Sequence, residues 1–276
     1  MSIKNIYQFW LNWKIGLKIT SSLICVTSIS VITLLIVNYY TNVSQNTITT
    51  GKQMMILADQ TVLRAAERVE AGVNNLETLA KTPSIVAAVQ KANLERADWK
   101  VSKIIALDQS WKDKDASILV IQEEIAATEI SQYLVDFMKD NPEEVEVFIT
   151  DGKGLNIAMT DTVSDFVQAD EDWWVSAFVD GKGETFIDSV EYDESTKTYA
   201  INIGVPIRDP ATHKAIGVLR GSLDISIMIN TLGNIKVGET GSVTLIDSQG
   251  IVLYAQDPAK LMKLAPNTLL ALFSSG

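Results

Sequence analysis

One cysteine and one histidine are all that the 276 residues hold. Cys25 alone excludes an intrachain disulfide and a thiolate zinc cluster. His213 alone excludes a multi-histidine metal centre, so no metal or other cofactor is expected. It follows Asp209-Pro210-Ala211-Thr212, a turn, and reads as a surface residue. Acid is missing from the start of the chain. Residues 1–52 carry Lys4, Lys14, Lys18 and Lys52 and sum to +4, whereas the remainder sums to −15, for a net −11. A chain this acidic lacks the electrostatic footprint of a nucleic-acid binder. There is no GxSxG, and Gly238-Glu239-Thr240-Gly241-Ser242 lacks the lysine of a phosphate-cradling loop. An enzyme is therefore not expected. What remains is an ordinary globular composition, 47% hydrophobic and 21% charged.

The apolar residues are concentrated. Residues 19–40 carry no charge, and at about 1.5 Å per residue these 22 residues span about 33 Å, enough for the hydrocarbon core of a bilayer. Trp10 and Trp13 flank one end, Tyr39 and Tyr40 the other, as aromatic belts do. The run is too long for a signal peptide's hydrophobic region, and no small-residue cleavage site follows it. With the lysines on its N-terminal side, residues 1–18 are expected in the cytoplasm and the rest of the chain outside. The hydroxyls at Thr20, Ser21, Ser22, Thr27, Ser28, Ser30 and Thr33 either favour helix–helix contact or satisfy their own backbone.

Beyond the membrane segment, Ile48, Met55, Val62, Val69 and Leu76 recur every seven residues. Ala58, Ala65 and Leu79 fill the position three further on, interrupted by Gly51 and Gly72. This pattern fits a long helix pairing with a copy of itself, or a long helix packed on its own domain. More helical pattern runs over 118–138 and ends near Asn141-Pro142.

At residue 145 the period changes to alternation. Val145, Val147 and Ile149 precede the turn Asp151-Gly152-Lys153-Gly154, and Leu155, Ile157 and Met159 follow it, a β-hairpin pattern. The pattern returns 96 residues on. Over 15 aligned positions from Val147 and Val243, the Val, Asp151/Asp247, Gly154/Gly250 and Asp161/Asp257 are identical and the apolar phase holds. After the first hairpin a short helix is predicted over 170–180, then strands over 184–192, 198–207 and 214–225. The order predicts an α/β (α+β) fold, a PAS-like antiparallel five-stranded sheet with a helix across one face. The second copy shows its hairpin and a predicted helix over 258–273, and then ends. Residues 227–276 thus read as the start of a second module, and the chain as a piece of a longer protein.

Anchor, long helix, complete PAS-like module and the start of another resemble the double Cache (dCache) extracytoplasmic sensor domain of bacterial chemoreceptors, sensor histidine kinases and cyclic-dinucleotide enzymes. The residues that carry the resemblance begin with Val147-Phe148-Ile149-Thr150-Asp151-Gly152-Lys153-Gly154 and continue through Leu155-Asn156-Ile157-Ala158-Met159-Thr160. Ser164-Asp165-Phe166, Asp170-Glu171-Asp172-Trp173-Trp174 and Glu191-Tyr192-Asp193-Glu194-Ser195-Thr196 follow, then Gly204-Val205-Pro206-Ile207 and Gly217-Val218-Leu219-Arg220-Gly221-Ser222-Leu223-Asp224-Ile225. The resemblance covers about residues 19–276. It implies a ligand pocket in the membrane-distal module, between sheet and helix, with Trp173 and Trp174 at the family's pocket aromatics. Asp224 falls at its ammonium-binding aspartate. The arginine that holds a ligand carboxylate in amino-acid-binding members is replaced here by Glu171, which argues against that mode.

The residues themselves agree in part. On the strand over 198–207, Ala200, Asn202, Gly204 and Pro206 share a face whose small side chains leave room for a cavity; Ile216, Val218, Arg220, Ser222 and Asp224 share a face of the last strand. Paired tryptophans beside carboxylates that include Asp165 and Asp188 suit a small cation or amine. Candidate ligand residues are therefore Trp173, Trp174, Asp224, Tyr192, Asp188, Asp165 and Asn202, with one tryptophan expected to serve the core instead. Arg220 either binds a carboxylate or pairs with Asp224. The expected organisation is a cytoplasmic start (1–18), membrane helix (19–40), stalk and helical region (41–144), distal module (145–226) and start of a proximal module (227–276). The expected function is a membrane-anchored sensor in the bacterial inner membrane. It would bind a small molecule on the periplasmic or extracellular side and dimerise through its stalk. The alternative is an adhesion or assembly module, or an indirect sensor reading a periplasmic binding protein.

Overall fold

The computed structural model describes residues 14–193, 198–225, 241–247, 249–268 and 270. Trp10 and Trp13, residues 194–197 and the link 226–240 before the second hairpin lie outside them. The chain divides into two compact units, residues 1–63 and 64–276.

The first unit is the apolar part of α1 (Ile15–Ala80), a helix long and apolar enough to cross a membrane. Its hydroxyls turn inward. Thr20, Thr27, Ser30 and Thr33 each donate to the carbonyl four residues back, at 2.8–3.1 Å. Ser21 donates to the carbonyl of Lys18. These side chains satisfy their own backbone.

The second unit is built on one sheet. α1 ends at Ala80, and Pro83 opens α2 (Pro83–Glu95) at the first helical position, where its missing N–H costs nothing. α3 (Val101–Lys112), α4 (Ala116–Ala126) and α5 (Glu129–Asp140) follow; Thr128 caps α5 by accepting from the Ser131 N–H. Then come β1 (Glu144–Asp151), β2 (Asn156–Met159), α6 (Asp172–Phe178), β3 (Phe186–Asp193), β4 (Thr198–Arg208) and β5 (Ala215–Asp224). They form an antiparallel sheet in the order β2-β1-β5-β4-β3. The predicted strands are all present, and the helix predicted over 170–180 contracts to seven residues, closed by Val179 in the left-handed region (φ 40°).

Helices cover both faces of this sheet, not one. On one side Leu76 and Leu79 of α1, Ile85 and Val89 of α2 and Leu134 of α5 pack on Val147, Ile149, Ile203, Val205, Leu219 and Leu223. On the other, Trp111 of α3, Ile118 and Ile125 of α4, and Trp173, Trp174 and Ala177 of α6 pack on Phe148, Leu155, Phe166 and Val218. A sheet buried on both faces must send successive residues into opposite cores. Ile216 breaks the expected alternation: the register skips it between the pairs Ile207–Gly217 and Arg208–Ala215, and this bulge turns it into the α1 core. The heptad seam divides as well. Val69, Leu76 and Leu79 are spent on the domain's own core, whereas Ile48, Met55 and Val62 are exposed.

The second hairpin, β6 (Thr244–Ile246) and β7 (Val252–Ala255), reproduces the first bond for bond. Asp151 Oδ1 accepts from the N–H groups of Lys153 and Leu155, and Asp247 Oδ1 from those of Gln249 and Ile251. Gly154 (φ 76°) and Gly250 (φ 84°) turn the chain where other residues would be strained. The Gly154 carbonyl accepts from Gln168 N–H and the Gly250 carbonyl from Ala265 N–H, both at 2.8 Å. The helix predicted over 258–273 is broken at its start; helical residues resume only at Asn267, where Leu270 N–H donates to the Pro266 carbonyl, and residues 269 and 271–273 lie outside the described residues. A single 3₁₀ turn, Pro258–Lys260, is followed by Met262 in the left-handed region (φ 55°), and Leu264 bridges back to Ile251. That bridge is the counterpart of Leu155–Val167 in the first copy.

The two cradles differ in the charge that meets the aspartate. Asp151 is buried and pairs with Arg96 Nη1 at 2.9 Å, while Asp247 makes no ion pair among the described residues. Asp151→Ala strands a largely buried guanidinium and is expected to cost about 3–5 kcal/mol. Asp247→Ala loses only neutral turn bonds, about 1–2 kcal/mol. Urea denaturation of the full chain, followed at both hairpins, checks the ranking.

Candidate functional site

Three strands meet under α6, and their register sets the site. Arg220 of β5 lies opposite Phe148 of β1 and Gly204 of β4; one row along, Ser222 lies opposite Glu146 and Asn202. All of these side chains project to the α6 side, because their neighbours Val147, Ile203, Leu219 and Leu223 fill the α1 core. α6 rests on the middle row. A Cβ at Gly204 would come within 2.9 Å of Ala177 Cβ and 3.3 Å of the Trp173 ring. The small residue at 204 therefore admits the helix rather than flooring an open cavity.

Arg220 is the centre of the cluster. Its guanidinium lies 5.3 Å from the Phe148 ring centroid and 5.5 Å from that of Trp173, and the two rings meet edge to face at 5.7 Å. Nη1 lies 3.2 Å from Glu146 Oε2, and Nη2 donates to Asn202 Oδ1 at 2.7 Å. Ser222 Oγ donates to the same Asn202 oxygen at 3.0 Å. Glu146 and Asn202 are both buried.

A second group of charges stands where the chain enters α6. Asp165 is buried, accepts from Ser164 Oγ and Gln168 Nε2, and lies 3.5 Å from Lys112 Nζ. Lys112 also pairs with Asp108 at 2.8 Å, and the bond to Asp108 is the main cause that raises its pKa. Glu171, the N-cap position of α6, opens to solvent, but partial desolvation of its carboxyl pushes its pKa up. Asp165 and Asp170 push the same way, while Arg220 and Lys112 oppose them. Glu171 is thus electrostatically in touch with both groups.

Of the residues singled out in the sequence, Trp173 and Asn202 meet at Arg220, and Asp165 is tied to them through the field at Glu171. Trp174 is turned the other way in its bonding. Its indole N–H donates to the buried Thr150 Oγ1 at 2.8 Å, and its ring stacks on Phe178 at 4.5 Å. Asp224 is half-buried at the end of β5, opposite Ala200, and its backbone N–H donates to the Glu143 carbonyl. Asp188 accepts from the N–H and hydroxyl of Ser189 on the edge strand β3. Tyr192 pairs with Tyr199 in β3; its side chain lies outside the described residues. Glu146 and Phe148 were not singled out for the site, and Glu171 only as the residue at the position of the family's arginine. Glu146 and Phe148 alternate with Val147 and Ile149 in the sequence, which marks them as one face, but only the β1–β5 register brings that face to Arg220.

A cavity of about 810 Å³ lies elsewhere, on the α1 side. It is lined by Glu77, Lys81, Pro83, Arg208, Asp209 and the exposed His213, among others.

The dCache_1 sequence profile, described as a Cache domain, matches residues 41–270. Among solved structures, the sensor domain of the V. cholerae histidine kinase DctB is 12% identical over 81% of this chain and 76% of that one, with a TM-score of 0.41. The ligand-binding domain of the Campylobacter jejuni chemoreceptor Tlp3 in complex with L-valine is 15% identical over 77% of this chain and 82% of that one (TM-score 0.43). That of the Pseudomonas aeruginosa amino acid chemoreceptor PctC with GABA is 14% identical over 61% and 76% (TM-score 0.41). No curated protein matches the chain. With more than four-fifths of its length under the family profile, the chain belongs to the Cache domain family of small-molecule sensor domains, in its double Cache form.

Proposed function

We propose that this Cache protein is a membrane-anchored extracytoplasmic sensor for a small amine or other small polar cation, bound between α6 and the sheet of the distal module (145–226). The observation that carries the reading is the seat of Arg220. Two aromatic faces, a buried carboxylate and an amide oxygen already hold one cation there. Trp173, Phe148, Glu146 and Asn202 are thus the chemistry of a cation cage. Glu171, Asp165 and Asp170 add negative charge at the entry to α6. Asp224, Asp188, Tyr192 and Trp174 complete the candidate set, with Trp174 as support for the helix rather than a ligand contact. A ligand cation takes over part of Arg220's place or sits beside it on the rings. Arg220 also favours a second reading, in which it turns from Glu146 to a ligand carboxylate.

In this reading residues 1–18 are cytoplasmic, 19–40 cross the inner membrane, 41–144 form stalk and helical support, and 227–276 open a proximal module. The lysines before the span support that orientation. The exposed half of the heptad, Ile48, Met55 and Val62, supports a homodimer through the stalk. Signalling requires that the ligand bind two states of the receptor unequally, which a pocket roofed by a seven-residue helix can do when that helix shifts.

Thermal unfolding of the full chain in detergent, against amines, amino acids, carboxylates and nucleobases, tests the ligand class. A ligand at 100 times its Kd adds about 2.7 kcal/mol. Stabilisation by amines is expected, lost in Trp173→Ala and weakened in Glu171→Gln. Stabilisation by carboxylates alone, lost in Arg220→Met, establishes the second reading. No stabilisation by any class shifts the function to an indirect sensor or assembly module. Orientation is checked in a Cys25→Ser background: a membrane-impermeant maleimide on intact spheroplasts is expected to label Gln249→Cys and not Lys4→Cys.

A further inference from the structure

One buried acid belongs to no part of the site above. Glu144 opens β1 and is 2% exposed, and neither of its carboxyl oxygens has a hydrogen-bond partner among the described residues. By alternation it should project with Glu146 and Phe148 toward α6. A register shift between Glu144 and Glu146 turns it over, so that it pairs with Leu223 and points into the α1 core. Two glycines make the space. A Cβ at Gly72 of α1 would stand 3.4 Å from Glu144 Oε1 and 3.2 Å from Leu223 Cδ1; one at Gly221 of β5 would stand 2.9 Å from Oε2 and 2.5 Å from Leu76 Cδ1. Gly72 is the gap in the heptad, where a seam-forming side chain is missing. The bulge, the paired glycines and the lack of partners are three separate features, and all serve to lodge one carboxyl between helix and sheet.

We propose that Glu144 is a proton-binding site that controls how firmly α1 is seated on the sheet, so that the extracytoplasmic module responds to pH independently of any small-molecule ligand. The physical argument is one of solvation. A neutral carboxyl is tolerated in this apolar seam; an ionised one without a partner is not. Glu144 pairs with Leu223 of β5, and Gly72 of α1 and Gly221 of β5 border its carboxyl oxygens; none of the three is charged. On its own strand the charge that acts on it is Glu143, of the same sign. Burial first, and Glu143 second, raise its pKa from 4.5 to about 8. Because the seated state holds the proton more tightly than the open one, the linkage runs one way. Below about pH 4.5 both states are protonated and the seam is at its firmest. Between 4.5 and about 8 opening releases a proton, so the seam weakens as pH rises. Above that the full cost is in place. α1 is the same helix that includes the membrane span, so a change in its seating is made on the element that leads there.

Amide exchange of residues 69–80 in the full chain, taken relative to intrinsic rates from pH 5 to 9, tests this. The opening constant of the wild type should rise up to tenfold per pH unit and level off near pH 8. In Glu144→Gln, and in Glu144→Met should the amide fail to pack, the dependence should vanish. A flat wild-type profile, or the same slope in a folded variant, overturns the proposal. So does an isotope-edited infrared titration that places the Glu144 carboxyl near pH 4.5 in the folded chain.

Discussion

Everything in the five-stranded module depends on β5 being a central strand with helices on both sides. Strand geometry leaves no choice about the consequence: Val218, Arg220 and Ser222 face α6, and Leu219, Gly221 and Leu223 face α1. The cation cluster and the seat of α1 are therefore built from alternate residues of one strand. Arg220 and Gly221 are neighbours in the chain and serve opposite faces. A displacement of β5 that improves one contact is felt in the other within a residue, because interiors packed at crystal-like density do not absorb movement. The sheet is thus a thin partition between the Arg220 cluster and the long helix.

The polar content of the two faces divides unevenly, and the division fits their roles. On the α6 side several buried polar side chains bond one another: Glu146 with Arg220, Arg220 with Asn202, Asn202 with Ser222, Trp174 with Thr150. Such a network fixes geometry, and it does so at the site where a ligand must be recognised. On the α1 side the core is mostly aliphatic, and the carboxyl oxygens of Glu144 buried there have no hydrogen-bond partner among the described residues. The α6 side is polar and bonded; the α1 side is mostly apolar, with Glu144 buried in it.

Much of this was legible in the sequence, and what was not had a common cause. The uncharged run, the change of period at 145, the hairpins and the repeat all rest on local pattern, and the described elements follow them. Even the opposed faces of β4 emerge from alternation alone, with Ile203, Val205 and Ile207 on the α1 side and Asn202 and Gly204 on the other. The failures lie where register slips. The bulges at Glu144 and at Ile216 each reverse a face, and no local pattern announces them. The site cluster was half visible for the same reason: Arg220, Asn202 and Trp173 stood out individually, but Glu146 and Phe148 join them only through pairing between strands distant in sequence. The heptad could not be divided between its two readings from the sequence. It is a real apolar stripe, and its second half is buried on a sheet that the stripe itself cannot reveal.

The repeat shows what is general in the fold and what is particular to the distal module. Asp, Gly and the bridge behind them recur in both copies with the same bonds, because a strand must be turned and the following segment laid back against it in either case. The additions to the first copy all come from the helices before it. Arg96 binds Asp151 and the carbonyls of Leu155 and Asn156, Asn93 accepts from the Gly152 N–H, and Lys153 reaches back to the carbonyls of Arg96 and Ala97 at the end of α2. Arg96 also stands over the ring of Phe166, which packs beside Trp111 and leads into the Asp165 group. The hairpin is thereby locked to α2, while the segment 165–178 that roofs the cluster is carried from that locked base. A pocket needs one wall that holds still if the movement of the other is to carry information. Among the described residues, only the first copy ties the shared turn to a preceding helix, through Asn93, Arg96 and Lys153.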